Sequence, residues 1–161
     1  MVSGGYREAG YEYVAIDDGW QQARDPITHE MVADTTRFPS GIDALVDYVH
    51  AAGLRFGIYT DVGSNTCGGQ PGLDMDVNLT SKQYIQDVAQ FARWRVDALK
   101  VDGCYQDPAV MNVTYPALSE AINASGHALW LSCSWVRLCM HARARSSTLP
   151  LIHRDLTLTA T

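Results

Sequence analysis

Short apolar runs alternate with amphipathic stretches along most of this chain. Tyr11-Glu-Tyr-Val-Ala-Ile16 is aromatic and β-branched and follows Gly10, which predicts a strand. Leu54-Arg-Phe-Gly-Ile-Tyr59, the segment from Ala98 to Asp102, and Ala128-Leu-Trp-Leu-Ser-Cys-Ser-Trp135 predict three more. Between them the period changes. Ile42, Leu45, Val46 and Val49 fall on one helical face, with Pro39-Ser40-Gly41 opening the helix and Gly53 stopping it. A second helix is expected from about Ser81 to Trp94, with Tyr84, Ile85, Val88, Phe91 and Ala92 as its apolar stripe. A third has Pro116 in its first turn, Leu118, Ala121 and Ile122 inside, and Gly126 as its stop. Gln21 to Pro39 follows neither period and reads as a long loop, a length that in compact domains usually serves function. The glycine-rich loop from Gly63 to Gly72 lacks the Gly-Lys-Ser/Thr of a phosphate loop, so no nucleotide site is expected there.

Strand, loop and helix in rotation predict an α/β fold with a parallel sheet of βαβ units. Each strand ends in polar residues: Asp17 and Asp18, Tyr59 and Asp61, Lys100 and Asp102, Ser132 and Ser134. A β/α-barrel gathers such ends on its active rim. An open doubly wound sheet places ligands at the same ends, so the pattern alone does not choose between them. The central stretch is Ala98-Leu-Lys-Val-Asp-Gly-Cys104. Lys100 and Asp102 are two apart and share one face of a strand. They read either as an ionisable pair placed for chemistry or as a structural ion pair before a turn at Gly103.

Length narrows the architecture. A whole β/α-barrel takes about 200–250 residues or more, so 161 residues fit one domain and fall short of a complete barrel. The net charge of −6 and the lack of a basic run in the patterned part count against nucleic acid or an anionic membrane as partner. No apolar run reaches the roughly 18 residues of a membrane span, and Met-Val-Ser-Gly-Gly-Tyr-Arg lacks the apolar core of a signal peptide. The histidines show no ligand spacing, so neither a metal nor a cofactor is expected. Cys67, Cys104, Cys133 and Cys139 form no Cys-x-x-Cys pair. Asn78-Leu-Thr80, Asn112-Val-Thr114 and Asn123-Ala-Ser125 are glycosylation sequons and favour a secretory route, with any leader upstream.

Residues 136–161 break the pattern. Four arginines stand there against one aspartate, and Arg143-Ala-Arg145-Ser-Ser-Thr148 carries no period. This segment is expected to be an aberrant or disordered tail outside the patterned unit of residues 1–135; a basic interaction tail is the functional alternative.

Several stretches in register resemble the catalytic barrel of family 27 glycoside hydrolases, the animal lysosomal α-galactosidases and α-N-acetylgalactosaminidases and their relatives. They are Gly10-Tyr-Glu-Tyr-Val-Ala-Ile-Asp-Asp18, Arg37-Phe-Pro-Ser-Gly-Ile42, Gly57-Ile-Tyr59, Thr66-Cys-Gly-Gly69, Val96-Asp-Ala-Leu-Lys-Val-Asp-Gly-Cys104 and Leu131-Ser-Cys-Ser-Trp135. The resemblance implies a partial (β/α)8 TIM barrel, about four βα units of its N-terminal half, with Asp102 as the nucleophile of a retaining hydrolysis through a glycosyl-aspartate. It implies that Asp17 and Asp18 hold sugar hydroxyls, that Lys100 binds hydroxyls and favours ionised Asp102, and that Tyr59 lines the pocket. It implies a Cys67–Cys104 disulfide, a homodimer, and a lysosomal or secreted enzyme acting on terminal α-galactosides or α-N-acetylgalactosaminides. Ser134 occupies the position where α-galactosidases resemble one another in a Glu and N-acetylgalactosaminidases in a Ser, which leans toward the acetamido sugar. Arg137, at the second selectivity position, departs from the small or aliphatic residue of the family, and Gly19 stands where animal members often carry a cysteine. The family's first strand with its pocket Trp, strands six to eight, the sugar-binding Arg and the acid/base Asp have no counterpart in these residues. Cys133 is expected to pair with a cysteine further along the family's chain. The alternative function is therefore a truncated non-catalytic fragment or sugar-binding remnant.

Overall fold

The computed structural model describes residues 3–134. The 136–161 tail, Arg137 and Cys139 lie outside the described residues. Four parallel strands form the main sheet: β1 (Tyr13–Ala15), β4 (Arg55–Asp61), β5 (Ala98–Asp102) and β6 (Trp130–Cys133). Between β1 and β4 stand β2 (Gln21–Arg24), β3 (Met31–Ala33) and α1 (Gly41–Ala51). Helix α2 (Gln83–Arg93) joins β4 to β5, and α3 (Met111–Ala124) joins β5 to β6. The sheet order is β1-β4-β5-β6, each strand beside its predecessor in the main sheet. Right-handed crossovers all advancing one way put every helix on the same face. An open doubly wound sheet reverses its order at a switch point; among the described residues no reversal occurs, and the order is that of a barrel.

Curvature agrees. Edge strands three spacings apart in a flat sheet lie about 14 Å apart. Yet the rings of Tyr13 on β1 and Trp130 on β6 meet at 6.0 Å between centroids. Arg55 stands beside Tyr13 and lies over its ring, but the row of Trp130 is small. Ala15, Gly57, Ala98 and Trp130 form one register row, and a Cβ on Gly57 would come within 3.0 Å of Ala15 Cβ. The opposite face, with Val14, Phe56, Ile58, Leu99, Val101, Leu131 and Cys133, packs on the helices as the core.

The helix stops follow the sequence. Gly53 ends α1 at φ +72°, and Leu54 N donates back to Val49 O at 3.2 Å. Arg95 plays the same part after α2 at φ +61°, with Val96 N to Phe91 O at 3.1 Å. Three expectations need correction. Gln21 to Pro39 is not simply a loop: β2 and β3 pair antiparallel within it. Its turn is tied by Asp25, whose carboxylate accepts from Ile27 N and Thr28 N at 2.8 and 2.7 Å. The hairpin docks on α2, which changes that helix's buried face. Asp87 and Gln90 are buried beside Tyr84, Val88 and Phe91, whereas Ile85 is exposed. The Gln90 amide donates to Met31 O at 2.8 Å and accepts from Met31 N at 2.9 Å, pairing the hairpin backbone as a strand would. Arg24 clamps Asp87 with two bonds of 2.7 Å. Finally, α3 begins before Pro116, which sits inside the helix. A 3₁₀ turn with Pro108 in its first turn, capped by Asp107 accepting from Ala109 N at 2.8 Å, starts the segment earlier. No helix among the described residues is long and apolar enough to cross a membrane.

Candidate active site

The strand ends converge as their spacing predicts. In the parallel register Tyr59 stands beside Lys100, which stands beside Ser132. One step further Asp61 pairs with Asp102. All face away from the helices, toward the concave side. Lys100 passes over the Tyr59 ring, with Nζ 5.1 Å from its centroid, and ends 2.7 Å from Asp17 Oδ2. Its ion pair is with the β1 end, not with Asp102 on its own strand, so the structural pairing of Lys100 with Asp102 is not formed.

Tyr59 is 1% exposed and its hydroxyl donates to Asp102 Oδ2 at 3.3 Å. Burial first, then the charges of Asp102, Asp61 and Asp18, push the phenol far above its ordinary range, so it remains a donor. Partial burial pushes Asp17 up, but the Lys100 hydrogen bond, the Asp18 amide and the Lys100 charge outweigh it and hold the carboxyl below its usual value. Asp18 is oriented by backbone: Oδ2 accepts from Gly68 N at 2.6 Å and Oδ1 from Gly19 N at 2.7 Å. Ser134 continues the ladder past β6, its N donating to Val101 O at 3.0 Å, and its side chain is exposed.

The Cys67–Cys104 disulfide is formed, with Cα atoms 5.1 Å apart. It ties the loop after β4 to the turn after β5, and Cys67 Sγ lies 3.6 Å from Asp102 Oδ2. Asp61, Cys67 and Cys104 are close enough to suggest a metal set. Both sulfurs are committed to each other, however, which leaves one carboxylate and no thiolate. Asn78, Asn112 and Asn123 are exposed, the last two on α3; Thr114 of the middle sequon is buried in the helix face.

Two residues here were not given a role by sequence reasoning. Trp20 is buried, donates its indole N–H to Tyr59 O at 2.7 Å, and meets Phe91 and Trp94 edge to face, so it fixes the height of Tyr59. Asp61 is fully buried one step above Tyr59; its place two residues along the same strand was the available signal.

Residues 1–150 match the alpha galactosidase A family. Human alpha-N-acetylgalactosaminidase is 44% identical over 135 residues, covering 84% of this chain and 31% of that protein. Human alpha-galactosidase A is 44% identical over 137 residues, covering 84% and 30%. The solved α-galactosidase of Saccharomyces cerevisiae with raffinose superposes with a TM-score of 0.70 at 34% identity, over 80% of this chain and 28% of that one. The chain thus spans about a third of the length of these relatives. A match over most of the chain, set on a parallel sheet in barrel order, shows that it belongs to the alpha galactosidase A family, family 27 of the glycoside hydrolases.

Proposed function

We propose that this chain carries the nucleophile side of a retaining exo-glycosidase that releases terminal α-linked N-acetylgalactosamine or galactose from glycolipids and glycoproteins. The observation that carries the reading is the Asp102 carboxylate at the end of β5, held by the Tyr59 hydroxyl and opening on a rim shared with Asp17, Asp18 and Lys100. On this reading Asp102 attacks the anomeric carbon, and the glycosidic C–O bond breaks with its electron pair on the leaving oxygen. The proton for that oxygen comes from a second carboxyl outside these residues. Asp17 and Asp18 accept from sugar hydroxyls as acceptor-only carboxylates, and Lys100 donates. A small exposed Ser134 leaves space for a 2-acetamido group, which favours the N-acetylated sugar. The same reading makes the protein a lysosomal or secreted homodimer glycosylated at Asn78, Asn112 and Asn123.

A dinitrophenyl leaving group departs without a proton, so it isolates the step assigned to Asp102. The test mixes the 161-residue chain with 2,4-dinitrophenyl α-galactoside and with the α-N-acetylgalactosaminide. One equivalent of dinitrophenolate and a glycosyl ester on Asp102, both lost in Asp102→Asn, are expected. Sugar binding with no release would instead identify a sugar-binding remnant.

A further inference from the structure

Asp61 is a carboxylate with no solvent access, standing where two rim loops press together. Its Oδ1 accepts from Gly63 N at 2.8 Å in the loop after β4. Its Oδ2 accepts from Cys104 N at 2.9 Å in the turn after β5. The loops touch directly: a Cβ on Gly63 would lie 2.0 Å from Cys104 O. Val62 N also donates to Asp102 O at 3.0 Å. Asp102 is thus held at its own carbonyl and, two residues on, at Cys104 N. We propose that Asp61 is a positioning residue, whose buried carboxylate clips the Gly63 loop to the Cys104 turn and so aims the Asp102 carboxylate. This rests on the reading of Asp102 as nucleophile.

Asp61 is out of reach of any sugar, so its part is indirect. The two N–H donors need two acceptor oxygens, which only the carboxylate supplies at this size. The charged groups facing it are Asp102 at the end of β5 and Asp18 after β1; the neighbouring Cys67–Cys104 disulfide carries no charge, and Lys100 is engaged by Asp17. Burial, with Asp102 and Asp18 adding to it against the two amide bonds, pushes Asp61 up to about 6.

The first measurement follows the backbone amides of the ¹⁵N-labelled 161-residue chain across mildly acidic to neutral pH. Gly63 and Cys104 N–H signals are expected to titrate together with one midpoint near 6. In Asp102→Asn that shared midpoint is expected to fall, because a facing negative charge is gone. One amide moving without the other, or the two moving with unrelated midpoints, overturns the proposal without requiring any variant at position 61. The second measurement is the dinitrophenolate burst. Asp61→Asn offers one acceptor and one donor where two acceptors are needed. Its burst is expected to slow by about 10²-fold, the scale of an approximately 1 Å misplacement, with full amplitude. An unchanged burst rate overturns this inference alone. No burst from the unsubstituted chain overturns the nucleophile reading and this inference with it.

Discussion

Lys100 reaches over the Tyr59 ring to Asp17, two strands away, and leaves Asp102 to the Tyr59 hydroxyl. The lysine therefore ties the β1 end to the β5 end across the strand between them. Both partners are substantially exposed, 44% and 67% for their side chains, so the pair contributes at most about 1 kcal/mol to folding. Lys100→Met is expected to leave the melting temperature within a few degrees, to raise the Asp17 pKa, and to slow the dinitrophenolate burst by more than about tenfold. Thermal melts and burst kinetics on one preparation check this.

Asp61 gives stability a pH slope. Its folded pKa of about 6 lies above the ordinary carboxyl value of about 3.9. Between these values the folded state holds more protons than the unfolded one, so unfolding free energy falls as pH rises. Stability from this group is full at the acid end and lost as pH passes the folded value. Two units set a ceiling of about 3 kcal/mol. Asp87, raised by burial against the opposing pull of Arg24, acts in the same direction. Melting is expected at higher temperature near pH 5 than near pH 7, and Asp61→Asn is expected to flatten the difference in a pH series.

Asp87 is fully buried and Arg24 partly so, 0% and 20% exposed at the side chain. Removing one partner strands a charge. Asp87→Ala is expected to cost about 3–5 kcal/mol and to release the β2–β3 hairpin, opening cleavage at its tip near Ile27, which is 86% exposed. A paired Arg24→Met, Asp87→Leu change is expected to recover most of the loss. Urea melts and limited proteolysis read both effects.

The disulfide separates its cysteines by 37 positions. Chain-entropy arguments give such a loop about 3–4 kcal/mol. Cys67→Ser with Cys104→Ser is expected to lower stability by up to that amount in denaturant titrations.

The strands were legible because apolar residues bounded by glycine and acid mark them: Tyr13 to Ala15 and Ala98 to Asp102 needed no neighbour to be recognised. The hairpin was not, since Gln21-Gln-Ala-Arg24 and Met31-Val-Ala33 owe their pairing to Arg24–Asp87 and to the Gln90 amide, contacts more than fifty positions away. For the same reason periodicity runs the α2 stripe through Ile85 instead of Asp87 and Gln90: it counts apolar residues, and here the hidden face is partly polar. Pro116 reads locally as a helix start, but Asp107 and Pro108 begin the turn that leads into α3 earlier. In the site, Asp17, Asp18, Tyr59, Lys100 and Asp102 were carried by family motifs. That Lys100 pairs with Asp17 depends on the register of β4 between them, which no motif encodes.

The small residues Gly57 and Ala98 under the Tyr13 and Trp130 rings have a consequence for the order of assembly. A sheet that arches because one row of its middle strands, Gly57 and Ala98, carries almost no side chain does not wait for a circle to be completed. The arc is set by neighbouring strands alone. Asp17, Tyr59, Lys100 and Asp102 come within reach of one another through contacts among β1, β4 and β5 alone. Bulk at Gly57 would press on Ala15, whose Cβ is 3.0 Å from where a new Cβ would stand, and so straighten the arc at its base and spread the strand ends that it never touches.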